Sequence, residues 1–221
     1  MIEVLMCNDS VGEGAIHPAM SKPDIEQACA YALDRLAHEL SPKLHFHSLT
    51  HTRDDVVPAA LRLATQLDIG CTDTQLLRTA ACYHDIGFIE RRDGHEDVSA
   101  RIAAAVLPNF GYSPEQVACV AGMIMATRLP QMPNNLLEQI MADADLDSLG
   151  RADFFIRNQA LRDELAAFEH VVSDALWYRN QLNFLRSHHY WTTKAASLRG
   201  PTKKQHIDEL IKRLEAAGRS E

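Results

Sequence analysis

The chain has 221 residues, 46% of them hydrophobic and 24% charged, with a formal net charge of -8. That length suits one good-sized core, alone or with a helical extension, and the acidic balance excludes a general attraction for nucleic-acid phosphates. No run approaches transmembrane length, and MIEVLMCNDS lacks the basic start and apolar stretch of a signal peptide, so we expect a cytoplasmic protein without a membrane or nucleic-acid partner.

In chain order, nearly every segment reads as helix. Residues 8–22 read as loop, and residues 24–40 as a first helix behind Pro23. Over residues 53–68, Val56, Val57, Ala60, Leu61, Ala64 and Leu67 recur on one helical stripe. Thr72 and Gln75 have the spacing of a capping box ahead of Leu76, Leu77, Ala80 and Ala81, and Gly87 is placed to stop that helix. Another helix is expected from Glu96 to about Leu107, before Pro108. Ser113, Pro114 and Gln116 together make a strong helix start, and Asn135 with Glu138 opens a helix expected to run to about Ser148, closed by Gly150. Residues 151–190 read as one or two long helices. Pro201 should open the last helix, whose narrow stripe of Ile207, Leu210, Ile211 and Leu214 could pack in cis or form a homodimer contact. No segment alternates with period two, so the expected fold class is all-α.

Five cysteines, Cys7, Cys29, Cys71, Cys82 and Cys119, are scattered and never form a C-x-x-C pair. This spacing argues against a disulfide framework and a thiolate zinc site, and reduced thiols are expected.

The chemistry-bearing residues lie in three separated segments. His84-Asp85 sits in AACYHDIGF, His51 lies upstream in SLTHTRDDVV, and Asp143-Ala144-Asp145 lies downstream. Imidazoles and carboxylates form a mixed donor set that divalent metals accept. A His-Asp dipeptide alone is weak evidence for a metal and reads more plainly as a buried histidine paired with its neighbour or a backbone carbonyl. The helical wheel does not choose between Asp143 and Asp145, since each flanks the face formed by Leu136, Leu137, Ile140, Met141 and Ala144.

Together, HSLTHTRDDVV, AACYHDIGF, GHEDVSARIAAAVLPNFGYS and MADADLDSLGR resemble the HD-domain superfamily, in a branch of predicted metal-dependent phosphohydrolases. The resemblance covers about residues 43–165. It implies an all-α HD-domain bundle with a C-terminal helical extension. The N-terminal segment 1–23 would be partly loop, and residues 24–221 one HD-type domain, with C-terminal helices 166–221 packed on the motif core. It implies His51, His84, Asp85 and Asp145 as ligands of one divalent ion, with Mn, Mg, Co, Ni, Fe and Zn all admissible. Asp145 is favoured as the last ligand because the family's final Asp follows an Ala and begins a short apolar motif. Asp143 would then orient a histidine.

His95 and Glu96 fall where two-metal members hold a second ion, so a weak second ion is an open alternative. MIMATRLPQMP carries none of the further histidines of those members, which counts against the cyclic-dinucleotide phosphodiesterase branch and against an oxygenase. The implied activity is hydrolysis of a small phosphate ester, with a nucleotide as the favoured class. Asp85, His95, Glu96 and Arg128 would act as catalytic groups, and Arg91 would be a further phosphate contact. Arg53, Arg92 and Arg151 also lie near ligand segments but read more plainly as surface groups, as do His45, His47, His188 and His189. The competing reading is a non-catalytic or regulatory HD domain that binds a nucleotide. The complete ligand set argues for the enzyme.

Overall fold

A computed structural model describes residues 22–218, and the N-terminal segment expected to be partly loop lies almost wholly outside them. Among the described residues there are nine α-helices and no strands, as the all-α expectation requires. The helices are α1 (Ile25–Glu39), α2 (Val57–Gln66), α3 (Cys71–Tyr83), α4 (His95–Val106), α5 (Pro114–Met125), α6 (Leu136–Asp145), α7 (Phe154–Ala167), α8 (Asp174–Ser187) and α9 (Thr193–Ala217).

Local signals explain most boundaries. Asp24 caps α1 by accepting from the Gln27 amide at 3.0 Å, and Ile25, Ala28, Cys29, Ala32 and Leu36 bury the stripe that follows. Ser113 and Gln116 form a reciprocal capping box at α5, and Asn135 caps α6. Each such cap contributes about 1 kcal/mol.

The core is built around α3, which packs against α1, α2, α5 and α6. It buries Leu76, Leu77 and every residue from Thr79 to Tyr83, so its last turn has no solvent face. The Tyr83 hydroxyl donates to the Ala28 carbonyl at 3.0 Å, and the Thr79 and Tyr112 hydroxyls lie 2.7 Å apart. A second apolar cluster, formed by Leu149, Phe154, Leu182, Leu185 and Leu210, joins α7, α8 and α9. Ile207, Ile211 and Leu214 pack on that cluster, so the C-terminal stripe is used in cis.

Several expectations change. Helix α3 begins at Cys71 with Gly70 as its N-cap, and Thr72 makes no side-chain cap. The helix ends at Tyr83, before Gly87, which lies instead in a 3₁₀ turn (Ile86–Ile89). A Cβ on Gly87 would lie 2.0 Å from the His95 carbonyl oxygen, so this glycine permits a close backbone approach rather than a helix stop. Helix α6 ends at Asp145, and a separate 3₁₀ turn (Asp147–Gly150) follows. Pro201 lies inside α9, because the Thr192 side chain already starts that helix by accepting from the Ala195 amide at 3.2 Å. Among the described residues Cys29, Cys82 and Cys119 are free thiols, and Cys7 lies outside them.

Two buried aspartates lock α9 to this core. Asp143 accepts from the Trp191 amide (2.8 Å), the Thr192 amide (2.8 Å) and the Thr192 hydroxyl (2.7 Å), and no histidine is among its hydrogen-bond partners. It therefore fixes the chain before α9 and does not orient a histidine. Asp147 accepts from Arg62 on α2 at 2.6 Å and from both Arg199 Nε and Nη2 on α9 at 2.8 Å. These charge-assisted contacts are the strong class of hydrogen bond. No described helix is long and apolar enough to cross a membrane.

Candidate metal centre

Four elements converge on one buried point. His51 begins a π-helical turn (His51–Val56) that runs directly into α2. Such widened turns are rare and recur at functional sites. His84 and Asp85 follow the last residue of α3, His95 begins α4, and Asp145 ends α6.

His51 Nε2 lies 3.2 Å from Asp145 Oδ1 and 3.7 Å from Asp85 Oδ2. His84 Nε2 lies 3.4 Å and 3.3 Å from the same two atoms. Donors about 2.1 Å from one ion and at right angles to each other would be about 3 Å apart, so these separations suit neighbouring corners around a single cation. His51, His84 and Asp145 form one group whose ligand atoms all lie within 4.8 Å of each other. His84 Nε2 and Asp85 Oδ2 are buried without a hydrogen-bond partner, since their close approach is not aligned as one. Buried polar atoms are costly unless something satisfies them, and a cation between them would.

The surroundings prepare these donors. His84 Nδ1 lies 2.9 Å from the Ala81 carbonyl, to which it can only donate, leaving the Nε2 lone pair toward the cluster. His51 Nδ1 faces Asp55 Oδ2 at 4.0 Å. Asp55 is held in turn by Arg151 at 2.6 Å and Arg157 at 2.7 Å. Burial disfavours a charged His84, yet Asp85 and Asp145 outweigh it and hold the imidazole well above its ordinary range. Burial would likewise raise Asp85 and Asp145, but the imidazoles against them keep both carboxyls below theirs. The cluster thus stores negative charge and takes positive charge from whatever is present, proton or metal.

His95 joins the group from the other side, its Nε2 3.3 Å from Asp85 Oδ1. Its Nδ1 lies 3.1 Å from the Arg92 carbonyl and 3.7 Å from Glu96 Oε2. Burial lowers the affinity of this ring for a proton, but Asp85 and Glu96 more than offset that and raise it. The His95 ring stacks on Phe88, centroids 3.9 Å apart, and the His47 ring also stacks on Phe88, at 4.2 Å. His45 is exposed, whereas His47 stands beside the centre without entering it. Arg128 is bonded to Asp97 and lies 3.7 Å from Glu96 Oε2, and Arg53 and Arg151 are paired with Asp54 and Asp55.

Residues 55–148 match the family model for the HD domain. Over that stretch the chain is similar to the HD domain. A crystal structure of a predicted HD superfamily hydrolase from an uncultured Thermotogales bacterium is similar in fold, with a TM-score of 0.59 and 20% identity over 88% of this chain and 92% of that one. No curated protein matches the chain. The matched segment contains His84, Asp85, His95 and Asp145, and His51 lies just before it.

Two parts of this centre escaped the sequence reading. Asp55 stands four residues after His51, a spacing that could have flagged it. Glu164, on α7, accepts from the Phe46 amide at 2.9 Å and the His47 amide at 3.0 Å, and lies 2.6 Å from His47 Nδ1. Nothing in the sequence joins positions more than a hundred residues apart.

Glu164 predicts a pH effect. Burial would raise its carboxyl, but the bonds from His47 and the two amides lower it below the ordinary 4.5. A carboxyl depressed in the folded state adds stability above its unfolded value, and that stability is lost as pH falls through the folded value. Unfolding free energy should therefore drop as pH goes below about 4.5, and Glu164→Gln should flatten that acid limb. Denaturant titrations from pH 7 to pH 3 check this, and parallel curves for both proteins would refute it.

Proposed function

We propose that this chain is a metal-dependent phosphohydrolase that cleaves a phosphate ester of a nucleotide or another small molecule. The observation that carries the reading is the pair of buried, unpartnered atoms His84 Nε2 and Asp85 Oδ2 facing His51 and Asp145. His51, His84, Asp85 and Asp145 would hold one divalent ion. Such an ion supplies Lewis acidity, lowering the pKa of water and polarising a phosphoryl oxygen.

The protein groups divide the remaining work. His84 stays in one tautomer through Ala81, and the Asp55 carboxylate stands 4.0 Å from the other ring nitrogen of His51. Asp85 presents Oδ2 to the centre and Oδ1 to His95, so it can take a proton from an attacking water and share it with that imidazole. His95 is placed to hold that proton or to donate to a leaving oxygen, with Glu96 beside its other nitrogen. Arg128 reaches a phosphoryl oxygen only by leaving Asp97. The donor set admits Mn, Mg, Co, Ni, Fe or Zn, and a weak second ion would rest on Asp85, His95 and Glu96. A homodimer remains a proposal separate from the cis-packed α9 stripe.

The test is phosphate release. The protein is stripped, reloaded with each of Mn, Mg, Co, Ni, Fe and Zn, and offered nucleoside mono-, di- and triphosphates, cyclic nucleotides and an aryl phosphate, with Asp85→Ala in parallel. Turnover that needs metal and falls at least about 100-fold in the variant is the expected result. Metal retention without turnover on any substrate would favour the second reading, a regulatory nucleotide-binding domain.

A further inference from the structure

A cleft of about 720 Å³ lies beside the centre, lined by Arg91, Arg92, Asp93, Leu165 and His170. Its volume lies within the range of small-ligand sites. One residue links it to the metal centre: the Arg92 carbonyl accepts from both the amide and Nδ1 of His95, whose Nε2 faces Asp85.

Arg92 is unlike its neighbours. Arg91, Arg101, Arg128, Arg151 and Arg157 each stand within ion-pair distance of a carboxylate. Among the described residues no carboxylate reaches Arg92, whose Nε is buried without a hydrogen-bond partner. Its guanidinium is instead held over the Phe168 ring, 4.2 Å from the centroid, and Lys43 Nζ stands 5.6 Å from the same ring. An aromatic face orients a guanidinium without neutralising it and leaves its fork of donors for an oxyanion. An uncompensated, half-buried arginine in a chain of net charge -8 is unusual. The cleft lining carries one carboxylate, Asp93, and two guanidiniums, Arg91 and Arg92.

We propose that this cleft binds a phosphate group through Arg92, with Arg91 beside it. Resting on the hydrolase reading above, that group is a second phosphate of the substrate, distinct from the one cleaved. The substrate class is then a small molecule carrying at least two phosphate groups, one anchored by Arg92 while the other meets the metal ligands.

Calorimetric titration of the full chain with inorganic pyrophosphate, before and after chelation, tests the site, because chelation removes the metal contribution and leaves the cleft. Binding should persist in the chelated chain, weaken about tenfold or more in Arg92→Ala and Arg92→Gln, and be partly kept in Arg92→Lys. Arg92→Gln retains much of the stem on Phe168, so it gives the answer if the alanine variant folds poorly. Binding lost entirely on chelation, or equal in wild type and Arg92→Gln, would overturn the proposal. Failure of the hydrolase reading would look different: no phosphate release, with pyrophosphate still bound by the chelated chain in an Arg92-dependent way.

Discussion

His84→Ala should abolish tight metal retention. The substitution removes a donor that is wholly buried, fixed in its tautomer and lacking any other hydrogen-bond partner on Nε2. Even residues that only orient metal ligands are worth 10–100-fold in affinity, so loss of a ligand should cost at least about 100-fold. The readout is metal content after gel filtration, together with melting temperature. With free metal at about 100 times Kd, wild type should gain about 2.7 kcal/mol of stability. For a chain of this size that is roughly 5–11 °C in Tm. His84→Ala should melt at the same temperature with and without metal. Equal metal content in both proteins would remove His84 from the centre.

Gly87→Ala should be strongly damaging. Its Cβ would lie 2.0 Å from the His95 carbonyl oxygen and 2.9 Å from the Ser99 amide nitrogen. Both are backbone atoms at the start of α4, so no side chain can swing away. The 3₁₀ turn or the helix must move, at a cost of about 3 kcal/mol. Because Asp85 and His95 flank the clash, the same shift should weaken metal binding. Gly70→Ala is the control, since nothing lies within 4 Å of the added methyl. As Gly70 is the N-cap of α3 and Ala caps less well, it should cost about 1 kcal/mol, well short of the Gly87 effect. Chemical denaturation of the chelated proteins separates the stability effect from the metal effect, and a Gly87→Ala protein as stable as Gly70→Ala would contradict the packing argument.

Much of the architecture was legible because its signals are local. Asp24, Ser113 and Asn135 announce helix starts within four residues, and the α1 and α2 stripes follow from periodicity. The four proposed ligands were legible through the HD pattern, and the structure brings them together. What was hidden depends on contacts distant in sequence or on backbone geometry. The π turn at His51 has no residue signature. Thr72 reads as a cap only until Gly70 proves to be the cap. Gly87 resembles a helix stop until the approach of α4 is known. Asp143 looks like a ligand or its support, but its acceptors are filled by Trp191 and Thr192. The wheel that could not separate Asp143 from Asp145 was ambiguous because both aspartates work, one for each side of α6.

The placement of helix ends has a further consequence. Helices α3 and α6 both terminate at the centre, at Tyr83 and Asp145, while α4 starts there, at His95. Aligned peptide dipoles leave about half a negative elementary charge at a helix C-terminus and about half a positive one at an N-terminus. Two backbone ends of negative sign therefore frame the cation position, and one of positive sign lies on the Arg92 side. The polarity that separates cation from anion is built into the main chain, and neutralising one aspartate by Asp→Asn would remove only part of it.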